Sequence, residues 1–253
     1  MSTLRGLTFR GRRVTIRILL VNTNERAGKC VELLKLLEIE PGVTAIIGGG
    51  GKTTLLYALA REAARDARVI VCTTTHILPP EHLPCVLSES EDEIAAALCK
   101  TNCVCVGTKS AEGKFSAPAV PMERLMALAR YVFVEADGSK HRPLKAHAGH
   151  EPVIPAEANQ TILVLGASGL NQPICDAAHR PELYARKLGV SEDDLATPYL
   201  AAKLLELEAL HTRVLVNQVE TEAALANARE LAGFLHSPVA AGSLWKENIV
   251  CLC

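Results

Sequence analysis

The chain has 253 residues, a formal net charge of -1, 49% hydrophobic and 22% charged residues, and 4% aromatics. So even a balance argues against a nucleic-acid or membrane-surface partner recruited by the field of the whole molecule, and no apolar stretch reaches the roughly 20 residues that span a bilayer. Nine cysteines, an odd number with no export signal, point to a reducing cytoplasmic setting.

In chain order, residues 1–29 carry seven basic side chains against one acid, Glu25. They read as a basic arm or as a dispensable extension ahead of a single domain over 30–253. A first helix is predicted over Lys29–Leu37, stopped by Pro41-Gly42. The β-branched run Val43–Ile47 reads as a buried strand. It is followed by Gly48-Gly49-Gly50-Gly51-Lys52-Thr53-Thr54 and a helix to about Ala67, the layout of a phosphate cradle. The usual cradle spacing would need glycine at position 46, where the chain has Ile46. Gly48, Gly49, Gly50, Gly51, Lys52, Thr53 and Thr54 are therefore candidate nucleotide ligands, with Lys52 facing the β- and γ-phosphates and Thr53 facing Mg²⁺.

Arg68–Thr73 is a second strand, delivering Thr75 and His76 to its carboxyl end. Ligands collect at that edge of doubly wound sheets. A helix over Glu91–Lys100 and a strand over Asn102–Gly107 follow, and strand alternation there places Cys103 and Cys105 on one face as small buried hydrophobes. A helix over Met122–Arg130 leads into the strand Tyr131–Val134, which releases Glu135 and Asp137. Acids at that position are what a nucleotide site needs for Mg²⁺ or for the attacking group. Asp137 is the candidate metal ligand with Thr53, and Glu135 is placed to do the same or to orient water.

Arg142 and Lys145 follow in a basic loop, and His179 and Arg180 precede a helix near Pro181. With Thr75 and His76 they form a candidate second-substrate set. Thr161–Leu165 and Arg213–Val216 are strands, Pro198–Leu210 and Glu222–Leu235 helices, and Ser237–Ala241 a last strand. Asn217-Gln218-Val219-Glu220 stands where guanine-specific proteins of this type carry Asn-Lys-x-Asp, which makes Asn217 a candidate nucleotide contact and leaves ATP and GTP both open. The strand and helix alternation predicts an α/β fold: a mostly parallel sheet flanked by helices in three layers.

Gly48–Thr54, Thr73–His76, Glu135-Ala-Asp-Gly-Ser139, Lys145, His150–Pro155, His179-Arg-Pro181 and Asn217-Gln218 together resemble the YqeC family, described as accessory to selenium-dependent hydroxylases through selenium cofactor biosynthesis. The resemblance spans about residues 30–245. It implies a P-loop NTPase-like protein that serves maturation of molybdenum hydroxylases, with a hydroxylase or selenium-handling protein as partner. The leading expectation is Mg²⁺-dependent binding and hydrolysis of ATP or GTP, with Lys52, Glu135 and Asp137 catalytic. The alternatives are a small-molecule kinase on the same cradle and a non-catalytic nucleotide-gated binding module.

Overall fold

The computed structural model describes residues 7–9, 12–14, 32–77, 83–109 and 115–252. The basic segment 1–29 lies outside these, apart from two short antiparallel strands, Leu7–Phe9 and Arg12–Val14. The start predicted for the first helix also lies outside the described residues.

Nine strands form one sheet. In chain order they are β1 (Gly42–Gly48), β2 (Val69–Thr73), β3 (Cys85–Val86), β4 (Cys103–Val106), β5 (Tyr131–Glu135), β6 (Ala158–Gly166), β7 (Arg213–Asn217), β8 (Val239–Ser243) and β9 (Asn248–Cys251). Across the sheet the order is β9-β8-β7-β6-β1-β5-β2-β4-β3. All neighbours are parallel except β8 and β9, an antiparallel hairpin. The strand carrying the glycine run thus lies between β6 and β5, so the acids released by β5 emerge beside it.

Buried faces alternate along the strands, as their period of two requires. Ala45, Ile47, Leu163, Leu165, Val214 and Val216 meet Tyr184, Leu204, Leu205 and Leu231, which come from α6 (Pro181–Leu188), α7 (Pro198–Glu208) and α8 (Glu222–Ala232). Val43, Val132 and Val134 extend that face under Ile94, Leu98 and Leu125, which belong to α3 (Glu91–Thr101) and α4 (Met122–Leu128). Ile46, Phe133 and Ile162 point the other way, onto Leu33, Leu55, Leu56 and Leu59 of α1 (Leu33–Leu36) and α2 (Lys52–Ala63). Helix, sheet and helix make the three predicted layers. Cys103 and Cys105 are both buried within that second core, as the alternation predicted.

Differences from the predicted elements fall mostly at edges. α2 ends at Ala63 rather than near Ala67, and a four-residue helix, Ile174–Ala177 (α5), stands where no element was predicted. β6 runs nine residues, because its outer turn pairs along β1 before reaching β7. The chain at Cys251 pairs with Ala240 in the closing hairpin. Among the described residues, no helix is long and apolar enough to cross a membrane.

Candidate functional site

The glycine run turns at the carboxyl end of β1 and packs hard against its neighbours. Gly48 has φ +98, and a Cβ there would fall 2.2 Å from the Val164 carbonyl oxygen. Gly50 lies against Gly166, whose amide nitrogen would be 2.2 Å from such a Cβ. Only glycine tolerates this conformation together with such close backbone approach.

Three of the glycine amides already have protein acceptors. Gly48 donates to Asp137 Oδ2 at 2.9 Å, Gly49 to the Val164 carbonyl at 2.8 Å, and Gly50 to the Arg142 carbonyl at 3.2 Å. The open donors lie one step further along, at the head of α2. Its N-cap, Gly51, offers no side-chain cap, and among the described residues no acceptor meets the first-turn amides from Lys52 to Thr54. A 12-residue helix begins there, which adds the partial positive charge of its N-terminus.

Lys52 is buried, at 4% exposure. Its ammonium donates to the Gly48 carbonyl at 2.8 Å and to Ser139 Oγ at 3.2 Å, and stands 3.3 Å from Asp137 Oδ1 and 3.9 Å from Glu135 Oε1. Thr53 is exposed and donates its hydroxyl to Glu135 Oε2 at 2.8 Å. The sequence grouped Thr53 with Asp137, and with Glu135 as a further acid, around a metal; the direct side-chain contact of Thr53 is with Glu135. Burial pushes the Glu135 carboxyl up, opposed by Lys52 and the Thr53 hydrogen bond.

Asp137 is fully buried. Besides the Gly48 amide, its Oδ2 is met by His147 Nε2 at 2.8 Å and Lys145 Nζ at 3.1 Å. Its Oδ1 faces the Lys52 ammonium at 3.3 Å and has no hydrogen-bond partner among the described residues. Burial alone would raise this carboxyl; His147, Lys52, Lys145 and the Gly48 amide together hold it below the usual range.

His147 continues the network outward. Its Nδ1 meets Glu208 Oε2 at 2.6 Å, and Lys187 donates to Glu208 Oε1 at 2.6 Å. Burial would lower the imidazole pKa, yet two carboxylate partners raise it. Glu208 is in turn held low, its burial outweighed by His147 and Lys187. Neither His147 nor Glu208 was predicted as part of the site. For His147 the signal was present, since Lys145 and His147 are two apart on an extended stretch and so share a face. Glu208 closes the chain of contacts from another helix, 61 residues away, and no local pattern marks it.

The six candidate second-substrate residues separate. Lys145, wholly buried as a side chain, reaches Glu151 at 3.0 Å and the Gly138 carbonyl at 2.5 Å. Burial lowers its pKa. Arg180 pairs with the same Glu151, and His179 is the register partner of Lys145 in a short parallel bridge. Arg142 instead donates to the Asp176 carbonyl. Thr75 stands at 3.1 Å from Thr73, whose hydroxyl bonds the Glu135 carbonyl oxygen, and His76 is exposed beyond it.

Asn217 is committed twice. Its Nδ2 donates to the Gly50 carbonyl at 2.8 Å, and its Oδ1 accepts from the Leu244 amide at 3.0 Å. It braces the glycine run against the turn after β8. Glu220 is bound by Ser243 at 3.0 Å and Lys246 at 3.3 Å, and Gln218 Oε1 accepts from Ser168 at 2.6 Å.

Among the described residues no group of three or more His, Cys, Asp or Glu is arranged to hold a metal. The Thr53 hydroxyl beside the Glu135 carboxylate, with the buried Asp137 nearby, is donor chemistry that suits a small hard cation keeping water and taking phosphate oxygens.

A family model described as YqeC protein matches residues 44–182, a span containing the glycine run, Glu135, Asp137, Lys145, His147 and Arg180. The YqeC protein of Escherichia coli (strain K12) is 33% identical over 161 residues, which are 60% of this chain and 63% of that relative. The match thus spans less than two thirds of the relative's length. On these two matches the chain belongs to the YqeC family.

Proposed function

We propose that the protein binds Mg²⁺ with ATP or GTP at the head of α2 and hydrolyses the terminal phosphate, as an accessory protein in maturation of selenium-dependent molybdenum hydroxylases. The observation that carries this reading is the convergence at one helix N-terminus of open backbone amides, a buried ammonium, and an exposed hydroxyl tied to a carboxylate. The amides of residues 52–54 and Lys52 take the phosphate charge, and Thr53 and Glu135 would hold Mg²⁺, which would supply charge neutralisation. Asp137 fixes the loop through Oδ2, which accepts from the Gly48 amide, and Lys52 through Oδ1 at 3.3 Å. Positioning and charge stabilisation lower the barrier, with no covalent step required of the protein. Family membership supports an accessory role in general terms; the hydroxylase as client is our reading.

Lys52→Ala is the direct test. Removing a charged hydrogen-bond donor to phosphate costs roughly 10- to 100-fold in affinity, read by calorimetry with Mg²⁺ and each triphosphate, together with loss of phosphate release. Equal binding by wild type and variant, or no heat from either, would defeat the reading.

A further inference from the structure

We propose that Trp245 is the platform on which the base of the bound nucleoside triphosphate stacks. This inference rests on the nucleotide reading above and adds a second half to that site, one that recognises the ring rather than the phosphates.

Trp245 is the sole tryptophan of the chain and is 85% exposed. It sits in the turn between β8 and β9, at the same carboxyl edge of the sheet as the glycine run. The residues on either side of the turn are fastened. Leu244 is buried in the core beneath α1 and α2, and its amide is held by Asn217, whose other end holds the Gly50 carbonyl. One side chain therefore spans from the phosphate loop to the residue before the indole. Ser243 bonds Glu220 and accepts from the Lys246 amide at 3.2 Å; Lys246 pairs with Glu220, and Glu247 with Arg61 at 3.0 Å. With Leu244 turned inward, the next side chain projects outward. Within the described residues the aromatic contacts pair Tyr131 with Phe133 and Tyr199 with Phe234, and none takes in Trp245.

A large ring left in water on a stem tied down on both sides is preorganised to receive another flat ring. The side-chain oxygens of Asn217, Gln218 and Glu220, which a base-reading site would use, are already engaged by Leu244, Ser168, Ser243 and Lys246, and Asn217 Nδ2 by Gly50. Beside them the indole offers a π-face. Stacking accepts any base, since every base offers such a face, so ATP and GTP should be held alike.

The sole tryptophan makes native fluorescence a reporter of the full-length chain. Mg·ATP and Mg·GTP should each quench its emission, whereas inorganic tripolyphosphate with Mg²⁺, which has phosphates and no base, should bind without quenching. In calorimetry, Trp245→Ala should weaken both nucleotides roughly 5- to 100-fold and leave tripolyphosphate binding at the wild-type value, while Trp245→Phe keeps most of the nucleotide affinity. If Trp245→Ala binds nucleotide as tightly as wild type while Lys52→Ala has lost it, the platform falls and the phosphate site stands. If wild type binds neither nucleotide nor tripolyphosphate, both fall.

Discussion

Gly48 is held in a left-handed conformation against the Val164 carbonyl, so any Cβ there must move backbone rather than a side-chain tip. Gly48→Ala should therefore lose about 2 kcal/mol or more of stability, measured by urea denaturation. A variant within about 0.5 kcal/mol of wild type would refute the steric argument. This packing also limits what the glycine run says by itself. Its density in the sequence marked a phosphate loop, but Gly48 and Gly50 are required first by their neighbours. The sequence located Lys52, Thr53, Glu135 and Asp137 because each is fixed by local order: strand, turn, helix. It did not contain the Thr53–Glu135 hydrogen bond, because the rotation of a side chain at a strand end depends on neighbouring strands, which a linear pattern does not record.

At the scale of elements, the core strands and helices were legible from periodicity, and the misses have a common cause. The two-residue strand β3 and the hairpin strand β9 exist through pairing with β4 and β8 and carry almost no pattern of their own. The same holds for the contact between the Lys145–His147 stretch and α7. His147 lies between Asp137 and Glu208, joining the loop of β1 to the last residue of that helix. Its pKa is raised above the ordinary 6.5, so the stability it contributes is fully present below that value and is lost as pH rises through the raised folded value. Asp137 and Glu208 are lowered, so their contribution is present above their unfolded values and is lost as pH falls through the lowered ones. His147→Gln should destabilise by about 1–3 kcal/mol near pH 6, since two buried carboxylates each lose one charged hydrogen-bond partner while keeping a lysine, and the gap to wild type should narrow towards about pH 9. Urea titrations at the two pH values check this; a gap that widens with pH would contradict an imidazolium bridge.

At the scale of the whole molecule, the candidate site draws on residues from Gly48 to Leu244, so a ligand there binds only the folded chain. Mass action then predicts stabilisation of about 2.7 kcal/mol at one hundred times Kd, a rise in Tm of roughly 5–10 °C for a protein of this size. Thermal unfolding with Mg·ATP or Mg·GTP should show it, and Lys52→Ala should abolish most of it. A shift that survives in Lys52→Ala would place the ligand elsewhere.

The tethering of the loop amides to Asp137, Val164 and Arg142 bears on speed as well as strength. A cradle already frozen into shape has no search to make when an anion arrives and little disorder left to surrender. Capture should then be governed by collision frequency, and differences among anions should show in how slowly each escapes.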